Sequence, residues 1–131
     1  MSDKVFLDTN VLVYAYDRHD ISKHQRAQSI VQELTKAKEA VISAQVLGEF
    51  FVTVTRKIKS PLRVDEAATI VHVLGSVRFV ETDRALIDSA IELHLRYQIS
   101  YWDGLIIAAA LFLSCTISSY RRSDPPTGLT T

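Results

Sequence analysis

Three acidic residues stand in apolar surroundings, where a carboxylate has little structural use. Asp8 ends KVFLD, Glu49 lies inside ISAQVLGEFFVTV, and Asp103 lies in SYWDGLIIAAA. A carboxylate among apolar residues is costly unless it is paired or holds a cation. Converging carboxylate oxygens suit Mg²⁺ or Mn²⁺, with water completing the shell. An ion held that way lowers the pKa of a bound water and neutralises charge building on a phosphodiester. Each acid also has an ordinary structural account. Asp8 can N-cap the helix after the first strand, and Asp103 can be the acidic partner of Ser100 in an S-Y-W-D capping box. Glu49 can point to solvent. Three such acids at or near helix starts favour a shared site, but spacing alone does not bring them together.

The elements that must position these acids follow from periodicity. KVFL (4–7) reads as a short buried strand that meets Asp8-Thr9-Asn10, a helix-capping sequence. Ser22-Lys23-His24-Gln25 reads as a capping box before Ala27, Ile30, Val31 and Leu34 at helical spacing. AVIS (40–43) is a second strand, and Ser43 can cap a helix carrying Val46, Leu47, Phe50, Phe51 and Val54. Ser60-Pro61 predicts an N-cap and N1 proline for a helix that Gly75 stops. VRFV (77–80) is a third strand, Thr82 and Ser100 open two further helices, and Cys115-Thr116-Ile117 offers a fourth strand. Short strands alternating with helices imply βαβ units, a parallel sheet and helices on both faces. In such sheets function sits at the carboxyl ends of strands, where Asp8 falls.

At 131 residues, 47% hydrophobic and 23% charged, the chain fits one globular domain and not a disordered one. Lys plus Arg equals Asp plus Glu, 15 against 15, so any polyanion site must come from local arrangement. The single Cys115 excludes an internal disulfide framework and fits a reducing compartment. The opening MSDKVFLDTN lacks the pattern of a signal peptide, and the apolar run Leu105–Leu113 falls short of the roughly 20 residues of a membrane span. The expectation is a soluble, cytoplasmic protein. Arg56, Lys57, Lys59 and Arg63 form a basic segment, either a solvated face or a contact for RNA phosphates. Trp102, beside Asp103, can stack on a base or pack in the core. Tyr14, Tyr16, Phe50 and Phe51 exceed what one small sheet needs and offer a homodimer or antitoxin contact. His19 and His24 flank Asp20 without a matching metal ligand elsewhere, and read as a solvated helix start.

Taken together, LDTNVLVYA, ISAQVLGEFF and ISYWDGLIIAAAL resemble the three motif blocks of PIN-domain ribonucleases. The likeness is greatest to the toxins of prokaryotic toxin–antitoxin modules, and it covers residues from about 4 to 117 in the family's order. The resemblance implies a three-layer α/β/α sandwich around a parallel sheet of about four short strands, with RNA as substrate, Mg²⁺ or Mn²⁺ as cofactor, and a cognate antitoxin as partner. It also implies that Asp8 and Asp103 hold the metal, and that Glu49 holds metal or orients the attacking water. Thr9 and Asn10 support Asp8 in this scheme. A catalytically inactive binding module that keeps dimer and antitoxin contacts is the alternative. A phosphatase with an aspartyl nucleophile is disfavoured, because LDTNV has Asn10 where that chemistry expects a second acid.

The family pattern continues with a fourth acid in a stretch resembling LLTEDL. Here Ser118-Ser119-Tyr120-Arg121-Arg122-Ser123 stands in its place. Permitted codons for this stretch, read one nucleotide later, spell Leu-Leu-Thr-Glu-Asp-Leu. Residues 1–117 are therefore expected to form the PIN-like domain, and 118–131 an atypical, disordered tail from a single-base frameshift. The final strand would then be lost and the sheet edge less protected. Asp124 cannot easily replace the missing acid, because Pro125-Pro126 bias it towards an extended backbone. Weak metal affinity and low activity are the expected consequences. Sequencing the gene around codon 117 tests this origin: codons that cannot spell TEDL in the shifted frame would end it.

Overall fold

Val5–Leu7, the first strand (β1), carries Phe6 and Leu7 fully buried and sits between two neighbours in a parallel sheet. The computed structural model describes residues 3–118. The chain runs β1, α1 (Thr9–Tyr14), α2 (Ile21–Lys36), β2 (Ala40–Ser43), α3 (Ala44–Arg56), α4 (Val64–Leu74), β3 (Arg78–Val80), α5 (Arg84–Tyr97), α6 (Tyr101–Phe112) and β4 (Thr116–Ser118). The sheet order is β3-β2-β1-β4, with every pairing parallel. All four residues of β2 are buried, as expected for a strand covered on both faces. Among the described residues, no helix is long and apolar enough to cross a membrane.

The strand order sets the layers. From β1 to β2 to β3 the chain steps in one direction, and from β3 it returns past β1 to β4. Parallel crossovers are right-handed, so reversing direction moves the connecting helices to the other face. Thus α1 to α4 lie on one face and α5–α6 on the other, which is the sandwich expected from the sequence. Packing agrees: α1 meets α2 and α3, α3 meets α4, and α5 meets α6. The reversal at β1 also opens a crevice at the carboxyl ends of β1 and β4.

Several helix starts differ from expectation, and charge explains most of them. The Asp20 carboxylate, not a Ser22 box, caps α2 by accepting from the Lys23 N–H at 3.1 Å. Asp83, not Thr82, caps α5 by accepting from the Leu86 N–H at 2.9 Å. A carboxylate is the stronger acceptor for the orphan amides of a first turn. Ser60-Pro61 stays in the loop because the Leu62 N–H donates back to the Val54 carbonyl at 2.8 Å, so α4 begins at Val64. The surplus aromatics also find places inside. Phe50 is fully buried with Tyr16 edge-on against it at 5.6 Å, and Tyr14 faces the Lys23 ammonium at 5.0 Å. His24 is bound through its ring to the Tyr14 carbonyl at 2.9 Å. Tail positions 119–131, and the strand expected there to be lost, lie outside the described residues.

The α5–α6 pair is held at backbone distance. A Cβ on Gly104 would sit 2.7 Å from the Ala90 carbonyl oxygen, whereas a Cβ on Gly48 meets nothing within 4 Å. Gly104→Ala is therefore expected to destabilise by about 1–3 kcal/mol through overpacking. Gly48→Ala is expected to stabilise by up to about 1 kcal/mol through helix propensity. Paired thermal or urea unfolding of the two variants checks both signs.

Candidate acidic site at the sheet crossover

Asp8 is fixed by its backbone before its side chain is considered. Its N–H donates to the Ser118 carbonyl at 3.1 Å, joining β1 to β4, and its carbonyl accepts from the Leu12 N–H at 3.4 Å. The carboxylate accepts from the Thr9 N–H at 2.7 Å as the N-cap of α1. Glu49 lies on α3, which starts where β2 ends and is capped by Ser43. The Thr9 hydroxyl donates to Glu49 Oε1 at 3.0 Å, tying the α3 acid to the turn after β1. Asp103 lies in the first turn of α6, and its N–H donates to Ser100 Oγ at 3.0 Å. The strand end, the second-layer helix and the opposite-face helix thus each bring one acid to the crossover.

All three acids line a single cavity of about 890 Å³, together with Thr9, Asn10 and Trp102. Burial pushes the Asp8 carboxyl above its ordinary value, the Thr9 N–H opposes that rise, and the charges of Glu49 and Asp103 add to it. The donor set is hard oxygen carrying excess negative charge, which fits an oxygen-seeking divalent cation. Among the described residues, no group of three or more His, Cys, Asp or Glu side chains is placed to hold a metal ion. For the three acids to share one ion, their side chains would have to move together and water fill the remaining positions.

Of the basic segment, Lys57 reaches the cavity from the C-cap of α3, while Arg56 and Lys59 are exposed outside its lining. Arg63 pairs instead with Asp65 at 3.1 Å. Trp102 is 61% exposed at the cavity edge, so it is not a core residue. Sequence reasoning missed Gln45, Gly48 and Thr53, which share the lining with Glu49. Their spacing from Gln45, at i, i+3, i+4 and i+8, marks one helical face and was a usable signal.

A family model described as PIN domain matches residues 5–120. Among solved structures, the crystal structure of Mycobacterium tuberculosis VapC20, described as a Sarcin-Ricin loop cleaving toxin, superposes with a TM-score of 0.68. It is 20% identical over 92% of this chain and 92% of that chain. No curated protein sequence matches this one.

The raised Asp8 carboxyl has a signed consequence for stability. As pH rises past the ordinary aspartate value, the unfolded chain loses this proton first, so the penalty on the folded state grows until its own raised pKa is passed and stays at full size above it. Asp8→Asn removes the penalty. In chelator, the variant's melting temperature is expected to match the parent's in acid and to exceed it increasingly towards neutral pH; a gap that shrinks with rising pH would contradict the assigned cause.

Proposed function

This chain belongs to the PIN domain family, and on that premise we propose that it is a metal-dependent endoribonuclease, the cytoplasmic toxin of a toxin–antitoxin pair. The observation that carries this reading is the meeting of Asp8, Glu49 and Asp103 in one cavity at the sheet crossover. The likeness in fold to a cleaving toxin supports the toxin assignment.

Asp8 and Asp103 would hold the cation, Mg²⁺ or Mn²⁺, with Glu49 beside them. When bound, the ion neutralises charge on the phosphodiester and lowers the pKa of water. The chain's own residues do the rest. The Thr9 hydroxyl holds Glu49 Oε1, which leaves Oε2 to accept a proton from the attacking water. The Thr9 N–H keeps the Asp8 carboxylate aimed from the end of β1. Lys57 at the cavity rim offers its ammonium to a substrate phosphate. In-line attack by water at phosphorus breaks the P–O3′ bond and leaves a 5′-phosphate on one strand and, once its oxygen is protonated, a 3′-hydroxyl on the other. Exposed apolar side chains on α3 and α4, Val52, Val64 and Val73, offer surface for a second copy or the antitoxin.

One observation favours a second reading, a binding module without turnover. Arg121 and Arg122 stand where the family pattern has its fourth acid.

Cleavage assays with Mg²⁺ or Mn²⁺ separate the two. The comparison is between this chain, Asp8→Asn, Thr9→Val, and a chain with the tail restored to TEDL. Asp8→Asn is expected to lose more than the roughly 10- to 100-fold typical of removing a hydrogen-bonded support of a metal ligand, and Thr9→Val to fall within that range. Cleavage by the restored chain alone assigns the binding-module role to the protein as it stands. No cleavage by any of them, with either ion, overturns the nuclease reading.

A further inference from the structure

The acid cavity has a neighbour. A second cavity of about 540 Å³ lies beside it, and the two share Gln45, Gly48, Glu49 and Trp102 as their common wall. Gly48 adds no side chain there, and even a Cβ at that position would touch nothing within 4 Å. The wall is therefore low at Gly48 and tall at Trp102. A chain molecule with a phosphate at the acids can continue across it.

Two unsatisfied features sit on that wall. The Trp102 indole, on the first turn of α6, meets Tyr101 edge-on at 4.9 Å and 73°, yet remains 61% exposed. An edge contact leaves the faces of the ring available for stacking. Gln45 donates its Nε2 to the Trp102 carbonyl at 3.3 Å, which orients the amide and turns the carbonyl end away. Gln45 Oε1 is buried with no hydrogen-bond partner, and is the single such side-chain atom among the described residues. Such an acceptor carries a desolvation cost that an incoming donor relieves. The Nε2 bond to the Trp102 carbonyl leaves Oε1 as the end of the amide that a ligand meets, once a shift of the side chain uncovers it.

We propose that Trp102 and Gln45 form a nucleobase subsite flanking the acids, which takes an unpaired base carrying an exocyclic amino group. The base stacks on the Trp102 ring and donates an amino N–H to Gln45 Oε1, while its phosphate lies towards Asp8 and Asp103. Adenine and cytosine supply that donor on their pairing edge, and uracil presents a carbonyl there instead. An acceptor facing a carbonyl is left unpaired, and this asymmetry produces discrimination. The subsite rests on the endoribonuclease reading and adds a base preference to it.

Trp102 is the chain's one tryptophan, so its fluorescence reports the stack directly. The intact chain is titrated with hexameric oligo(A), oligo(C), oligo(U) and an abasic ribose-phosphate hexamer in Ca²⁺ buffer, with strand integrity checked on a gel. Oligo(A) and oligo(C) are expected to quench Trp102 and to bind about tenfold more tightly than oligo(U), the ratio one hydrogen bond provides. The abasic hexamer leaves the fluorescence unchanged. With dye-labelled hexamers read by anisotropy, Gln45→Leu erases the preference over oligo(U). Trp102→Ala weakens all base-bearing hexamers by about tenfold or more, and Trp102→Phe restores most of that affinity. Equal quenching by the abasic hexamer, or a preference that survives Gln45→Leu, overturns the subsite. If hexamers bind and are cut in Mg²⁺ without quenching Trp102, the subsite fails and the nuclease reading stands. If the tail-restored chain neither binds nor cuts any of them, both fail.

Discussion

Like charges gathered in one partly buried cleft repel one another, and the fold has to hold them there. Asp8 bears the strain most plainly, because burial and the fields of Glu49 and Asp103 all disfavour its ionised form. What keeps the carboxylate in place is backbone: β1 pairs with β4, and a short bond from the Thr9 N–H opposes the rise. Charge held against its own repulsion is a common way for a protein to prepare a place for a cation.

The crossover makes this arrangement possible. With the order β3-β2-β1-β4, α3 and α6 approach β1 from opposite faces, so residues more than fifty positions apart in the chain reach one cavity. The Thr9 hydroxyl links two of these elements through Glu49. The Gln45–Trp102 bond links α3 to α6 on the far side of the same cavity. The first tie thus joins two helices of one layer and the second spans the gap between layers, where side chains of both must keep their spacing.

Much of this was legible in the sequence, and the reasons are specific. A strand ending in Asp8 and an apolar helix interrupted by Asp103 break their own patterns, and broken patterns are visible. The four strands were visible as short apolar runs, to within a residue or two at each end. Caps were less legible, because Ser22 and Asp20, or Thr82 and Asp83, compete within one turn and tertiary context decides. Gln45 and Thr53 were missed because a polar residue on a helix face carries no signal until its neighbours across space are known. The aromatics were misjudged for the converse reason. Phe50 and Tyr16 fill space between α1 and α3 that a count of strands does not reveal.

The contact between Gly104 and the Ala90 carbonyl carries a last implication. Asp103 precedes that glycine, so its height above the sheet is registered by a residue on the opposite helix that touches no ligand. Ala90 is small, wholly interior and chemically inert. Any side chain at 104 would meet that backbone, tilt α6 outward and lift one acid away from its companions, much as a shim under one leg unlevels a tripod. Inheritance at such a position would be governed by carpentry, yet its errors would surface as lost chemistry.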